Sequence, residues 1–459
     1  MKRIFLLLFL LCLTTVKAEI SLPNIFSSNM VLQRQAEVKL FGWAHPGEEF
    51  TITTSWDNKE YDIKTEINAK WSILVDTPKA GGPYSIVFNG KSNKIVLENV
   101  LIGEVWLCSG QSNMEWSANS GLENKEEAIA NANKPTIRLF TVEKRTSEDP
   151  QDDLVGTWQV CTSETMPDFS AVAYFFAQHM QEKMNIPIGL IDSSWGASCA
   201  EVWTPEEEFE NNPELLESYQ LIQPNPWVPI EKSILYNAMI APLTNFKISG
   251  TLWYQGESNT ANAESYENTF GTMIASWRDK WGYDFPFYYV QIAPYKYGGE
   301  FEGGIVRDQQ RRTLSLSNTG MAMTSDICTI DDIHPRNKKD VGIRLANIAL
   351  KQHYNVLDEM VYGPLFKDAK VIKDKVEVSF MYDDGLTIEG RKLDFFELQS
   401  SDGNWYPAKA RIKNGKVVVS SKEVEKPKKV RYAYESIAIS NLFNSAGLPA
   451  STFSSEQLN

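Results

Sequence analysis

An α/β fold built on a parallel sheet, with a β region on either side of it, is what this 459-residue chain predicts. Three observations carry that expectation. Residues 101–355 hold near-continuous apolar runs, as parallel strands buried on both faces require. Amphipathic helical patterns lie between the runs, and such alternation places helices on both faces of a sheet. Residues 19–100 and 356–459 instead alternate short apolar strands with turn signals and show no strong helical pattern.

The elements follow in chain order. Lys2 and Arg3 precede an apolar stretch from Ile4 to Leu13, and Val16-Lys17-Ala18 offers a small-residue cleavage site. Residues 1–18 are therefore expected to be a cleavable signal peptide, which implies a secreted or periplasmic protein. The apolar run is short for a membrane span, which needs roughly 20 residues. A lipoprotein leader using Cys12 fits less well, because Leu11 stands where a small residue is expected.

Residues 19–100 offer strands at Val38–Trp43, Glu49–Thr54 and Tyr84–Phe88. They are separated by His45-Pro46-Gly47 and Gly81-Gly82-Pro83 and followed by an Asn89-Gly90 turn. This reads as a small β-sandwich. In residues 101–355 the candidate strands are 104–109, 136–140, 187–192, 249–255, 286–292 and 321–325. Between them, Val172, Phe175, Phe176, His179 and Met180 share one helical face, as do Tyr266, Phe270, Met273, Ile274 and Trp277; Val341, Leu345 and Ile348 mark a third helix. Residues 356–459 return to β, with strands at Val371–Phe380, Phe395–Ser400, Val417–Ser421 and Val430–Tyr434 and a turn at Asp383-Asp384-Gly385.

The formal net charge is −14, and loss of Lys2, Arg3 and Lys17 with the leader leaves it more negative still. That balance repels phosphate backbones and anionic membrane surfaces, so nucleic acid and membrane are not expected partners. Cys108, Cys161, Cys199 and Cys328 remain after the leader. Their spacing shows no metal-type pair. A chain this long can bury a core without disulfides, and Cys108, inside an apolar run, reads as a free buried thiol.

The chemistry gathers at strand ends. Ser112 follows the run 104–109, Gly196 lies in the turn after 187–192, Gln255-Gly256-Glu257 follows 249–255, and Asp331-Asp332-Ile333-His334-Pro335 comes shortly after 321–325. Open α/β sheets place ligands at the carboxyl ends of their strands. A serine hydroxyl attacks nothing without a base. Of four histidines, His179 sits on an apolar helix face, His353 at a polar helix end and His45 in a turn. His334 has an acid three residues before it, an extended-biasing Pro335 after it, and a helix N-cap candidate in Asn337. Gly196 can present an unobstructed backbone N–H to an oxyanion and Gln255 a side-chain amide. Glu115 and Glu257 are carboxylates near the same edge. Trp106, Trp195, Trp203 and Trp253 cluster around these turns, mostly as core, with one available for stacking on a sugar.

At these residues the chain resembles the sialate O-acetylesterase family of secreted carbohydrate esterases, within the SGNH hydrolases and related to acetylxylan esterases. Gly110-Gln111-Ser112-Asn113-Met114 resembles its nucleophile motif, Trp253-Tyr254-Gln255-Gly256-Glu257-Ser258-Asn259 its central motif, and Asp331 to Pro335 its histidine motif. Asn29 to Arg34, Gly81 to Tyr84 and Ala446 to Ala450 look like its flanking segments. The resemblance implies a flavodoxin-like SGNH domain over 101–355 between β domains over 19–100 and 356–459. It implies Ser112 as nucleophile and His334 as base, oriented by Asp331 or, less readily, Asp332. Ser112 and Gly196 backbone N–H groups would form the oxyanion hole, with Gln255 where general SGNH enzymes use asparagine. It needs no metal or cofactor.

The expected activity is removal of O-acetyl groups from carbohydrates, first O-acetylated sialic acids, with acetylated xylan or other glycans as the alternative. The Gly-x-Ser-x-Gly elbow of α/β-hydrolases is missing. A glycosidase pairing Glu257 or Glu115 with Asp331 would leave Ser112 and His334 without roles. A non-catalytic carbohydrate-binding protein would explain the β regions but not the polar strand ends. A sialic acid carboxylate would want a nearby arginine; Arg307, Arg311 and Arg312 lie on the segment before the 321–325 strand and read as helix-surface residues.

Overall fold

The computed structural model describes residues 19–458. The leader expected over 1–18 lies outside them. Among the described residues no helix is long and apolar enough to cross a membrane.

Five parallel strands form the heart of the sheet. In chain order they are Lys94–Gly110, Ile188–Ser194, Gly250–Tyr254, Phe287–Val290 and Thr319–Ala322. Their spatial order is second, first, third, fourth, fifth, the flavodoxin-like arrangement. Lys134–Thr141 adds in parallel outside Ile188–Ser194, and Trp158–Cys161 closes that edge antiparallel. Every residue of Ile188–Ser194 and Gly250–Tyr254 is buried, which is why these strands read as unbroken apolar runs.

Alternating side chains separate two cores. Trp106, Cys108, Leu190, Leu252 and Tyr288 point to one face, where the helices Ala171–Met184 and Lys338–Gln352 pack. Leu107, Ile191, Trp253, Phe287 and Tyr289 point to the other, against Tyr266–Trp281 and Glu302–Arg312. The α/β class and the three expected helices are therefore present, and Glu302–Arg312 is a fourth long helix that the apolar pattern did not reveal.

The first strand is longer than expected. Lys94–Gly110 runs 17 residues. Its first part pairs antiparallel with Gly81–Asn89 and its last part lies between Ile188–Ser194 and Gly250–Tyr254. One strand thus spans the expected border at residue 100 and links the N-terminal β region to the central sheet. The opposing N-terminal layer is the pair Glu37–Trp43 and Lys70–Asp76.

The C-terminal residues form two four-stranded antiparallel sheets around a separate core of Val376, Val378, Leu398, Val417, Val419 and Tyr432, among others. The strand expected at Val371–Phe380 is a hairpin, Leu365–Ile372 against Lys375–Met381, turning at Lys373 with φ 60°. Arg307 corrects a second expectation. It is 1 % exposed, and its guanidinium donates to Thr452 Oγ1 and to the carbonyls of Ala433, Glu435 and Ser436. It fastens the central sheet's helix to the C-terminal β region and does not cover a surface. The four cysteines among the described residues stand unpaired, with Cys108, Cys161 and Cys199 buried.

Candidate active site

Sheet register brings three turns to one point. Gly110 pairs with Ser194 on one side and Tyr254 on the other, so the turns after all three strands leave at one level. This is the switch point between the first and third strands, where open α/β sheets leave a crevice. Gly110 is required there: its φ is +131°, and an added Cβ would lie 2.3 Å from Tyr254 O. Trp195 N–H donates to Gly110 O and Gln111 N–H to Tyr254 O, each at 3.0 Å, fastening the turns together. Ser112–Glu115 is a single helical turn. As its first residue, Ser112 has an N–H with no intrahelical acceptor. Ser170 Oγ caps the long helix by accepting from Ala173 N–H and donates to Met114 O at 2.6 Å, so that helix starts against the serine turn.

His334 reaches this turn from the loop before Lys338–Gln352. Its Nε2 lies 2.8 Å from Ser112 Oγ, and both side chains are partly exposed. Its ring stacks on Trp116, centroids 4.4 Å apart and planes 19° from parallel. Its backbone N–H donates to Asp332 Oδ1 at 2.9 Å, and Asn337 caps the following helix by accepting from Asp340 N–H. Partial burial and the Lys338 cation lower the imidazole pKa; Asp332 and Glu115 push the other way.

The remaining expected partners are placed differently. Asp331 is exposed, and its Oδ1 accepts from Lys296 Nζ at 2.6 Å. Neither it nor Asp332 takes a hydrogen bond from the His334 ring; Asp332 holds the loop backbone instead. The reason is local: three residues of a tight loop turn the Asp331 side chain outward, where a lysine neutralises it. Gly196 does lie against Ser112, since an added Cβ would come within 3.3 Å of Ser112 Cβ. Its N–H, however, donates to Glu115 Oε2 at 2.7 Å, while Glu115 Oε1 accepts from Lys144 Nζ at 2.6 Å. Gln255 is fully buried. Its Nε2 donates to Ser198 O and Asn259 Oδ1, and its Oε1 accepts from Tyr266 O–H, so the amide builds the turn and has no free donor.

Other candidates separate cleanly. His179 meets Asn347 Oδ1 at 2.8 Å, His353 faces Ser249 and Trp106, and His45 is exposed. Trp106, Trp203 and Trp253 are fully buried, whereas Trp195 is only partly so and bonds through Nε1 to Trp227 O at 3.2 Å. Arg311 and Arg312 pair with Asp308 and Arg312 also with Glu456. The sequence assigned no role to Asn113 within the serine motif, nor to Trp116 and Lys338, although all three touch the site. Lys338 had a readable signal: it occupies the apolar-face position three residues before Val341, where a lysine has no reason to sit unless it is paired.

A serine hydroxyl hydrogen-bonded to a histidine at the switch point of a flavodoxin-like sheet is the equipment of an ester hydrolase, and the relatives agree. Residues 102–351 match the family model described as carbohydrate esterase, sialic acid-specific acetylesterase. A sialate O-acetylesterase of Mus musculus is 29% identical over 446 residues, covering 83% of this chain and 82% of that protein. One of Homo sapiens is 28% identical over 424 residues, covering 83% and 81%. The crystal structure of a carbohydrate acetylesterase from Xanthomonas citri is 33% identical and superposes with a TM-score of 0.87 over 95% of this chain and 100% of that one. This chain belongs to the sialic acid-specific acetylesterase family of carbohydrate esterases and is a carboxylic ester hydrolase.

Proposed function

We propose that this chain removes O-acetyl groups from carbohydrates through an acetyl-enzyme on Ser112, with O-acetylated sialic acids as its first substrate class. The observation that carries the reading is the 2.8 Å contact between Ser112 Oγ and His334 Nε2 at the sheet's switch point. His334 takes the hydroxyl proton as Oγ attacks the acetyl carbonyl, then returns it to the departing sugar hydroxyl; water, activated by the same imidazole, releases acetate. Ser112 N–H, which has no intrahelical acceptor, would donate to the oxyanion. Gly196 N–H joins it once the ester oxygen displaces the Glu115 carboxylate, which Lys144 retains. An export signal over residues 1–18 fits a glycan substrate outside the cytoplasm.

The rim suits a sugar. Trp227 is 77 % exposed, and its carbonyl is fixed by Trp195, the neighbour of Gly196. A sugar acetylated at a hydroxyl entering beside Gly196 would have an indole to stack on. The cations available to a sialic acid carboxylate are Lys144, Lys296 and Arg336, each already paired with an acid. Acetate release from O-acetylated sialic acids, acetylated xylan and a simple aryl acetate tests the reading. The expected order is sialic acids first, with Trp227→Ala raising KM for the sugar esters and leaving the aryl ester unchanged. Preference for acetylated xylan would replace the sialate assignment, and no acetate release from any ester would end the enzymatic one.

Asp331→Asn follows from the same geometry. With its carboxylate on Lys296, the variant is expected to keep kcat within about tenfold of wild type, far from the roughly 10⁴-fold loss of a triad carboxylate. A loss of that larger size would mean that Asp331 swings onto the imidazole during turnover.

A further inference from the structure

Asn113 follows Ser112 and is fully buried, as is Lys338, with Glu257 6 % exposed. Every polar atom of the Asn113 amide is engaged. Lys338 Nζ donates to its Oδ1 at 2.5 Å, and its Nδ2 donates to Glu257 Oε1 at 2.6 Å and to Ile333 O at 2.9 Å. A cation therefore sits on the amide oxygen and an anion on the amide nitrogen. Flipping the amide would set like poles against both, so one orientation is fixed.

Ile333 immediately precedes His334. Two consecutive residues of the serine turn thus bond to two consecutive residues of the histidine loop, Ser112 to His334 and Asn113 to Ile333. A single contact would leave the loop free to pivot about it; a second one close by removes that freedom. Stacking on Trp116 fixes the ring plane. The two opposite charges that clamp Asn113 from either side are costly to bury, and neither touches the reacting atoms. Glu257 Oε2 has no hydrogen-bond partner among the described residues.

We propose that Asn113, clamped between Glu257 and Lys338, is a positioning residue that holds His334 on Ser112, replacing through the loop backbone the orienting contact that a carboxylate makes with the far ring nitrogen in a Ser-His-Asp triad. The proposal rests on the serine mechanism above. Lys338 has a second effect, because its cation opposes protonation of the imidazole, while Asp332 on the loop and Glu115 on the serine turn favour it.

The test uses the full chain and an aryl acetate. Asn113→Ala is expected to lower kcat about 10²-fold with KM little changed, the size of effect that an ångström of misplacement produces. Lys338→Met combined with Glu257→Gln conserves volume, buries no charge, and should shift the acidic limb of the rate profile to higher pH, which a merely structural pair would not do. Wild type and Ser112→Ala run in parallel: if Ser112→Ala stays active, the serine mechanism fails and this proposal with it. If Ser112→Ala is inactive while Asn113→Ala keeps kcat within threefold, the positioning role alone is overturned. Should Asn113→Ala not fold, the double variant decides, and an unmoved acidic limb overturns the proposal.

Discussion

Ser112→Ala is expected to release acetate at least about 10⁴-fold more slowly than wild type at saturating substrate. The size follows from what the substitution removes. On the proposed mechanism no acetyl-enzyme forms without Oγ, and His334 loses the group it would deprotonate. What remains is whatever Ser112 N–H and the rim contribute by binding, because alanine keeps the backbone donor. The hydroxyl is partly exposed and has His334 as its side-chain partner, so the fold should not suffer. Acetate release together with calorimetric binding of the glycan reads both quantities. Turnover within tenfold of wild type would refute Ser112 as nucleophile. Unchanged glycan binding by a wild-type protein that releases no acetate would favour the binding-protein reading instead.

How far the sequence showed this site depends on what each residue relies on. Ser112, Gly196 and the Gln255 turn were legible because strand ends are, and strands buried on both faces announce themselves as apolar runs that stop. His334 was legible by elimination among four histidines and from its loop grammar, with Pro335 and the Asn337 cap fixing where the helix begins. Spacing says nothing of side-chain direction. An acid three residues before a histidine reads the same whether it faces the ring or, like Asp331, a lysine on the neighbouring loop. Gln255 likewise has the right amide at the right turn, but burial and Tyr266, which precedes no motif, decide where it points.

The misses in the fold have a common cause. The helix Glu302–Arg312 buries Arg307, Asp308 and Gln310, and two glycines pack it closely: an added Cβ at Gly304 would lie 1.6 Å from Tyr434 O. A helix held by hydrogen-bonded polar groups and close backbone contact carries no apolar stripe to read. The long strand Lys94–Gly110 was cut short for a related reason. Its first half alternates exposed and buried residues and its second half is buried throughout, so one element presents two patterns.

Replacing His334 by alanine should cost about as much as losing the serine, because on the proposed mechanism nucleophile and base act as one unit, and the two losses should not add in the double variant. Its pH dependence is the sharper measurement. The imidazole works as a base only when neutral, so kcat/KM falls as pH drops through its pKa. Burial and the Lys338 cation set that pKa below the ordinary histidine value of about 6.5, so the acidic inflection is expected below that pH. Lys338 reinforces the effect in the right range. Its own pKa is brought down to about 7 by burial, so it carries its charge below neutrality, where the imidazole would otherwise gain a proton. The signs then order the variants. Lys338→Met should move the inflection up, whereas Glu115→Gln, by removing a carboxylate that favours the imidazolium, should move it down. A wild-type inflection above about 7, or acetate release undiminished in His334→Ala, would take the base assignment away from His334.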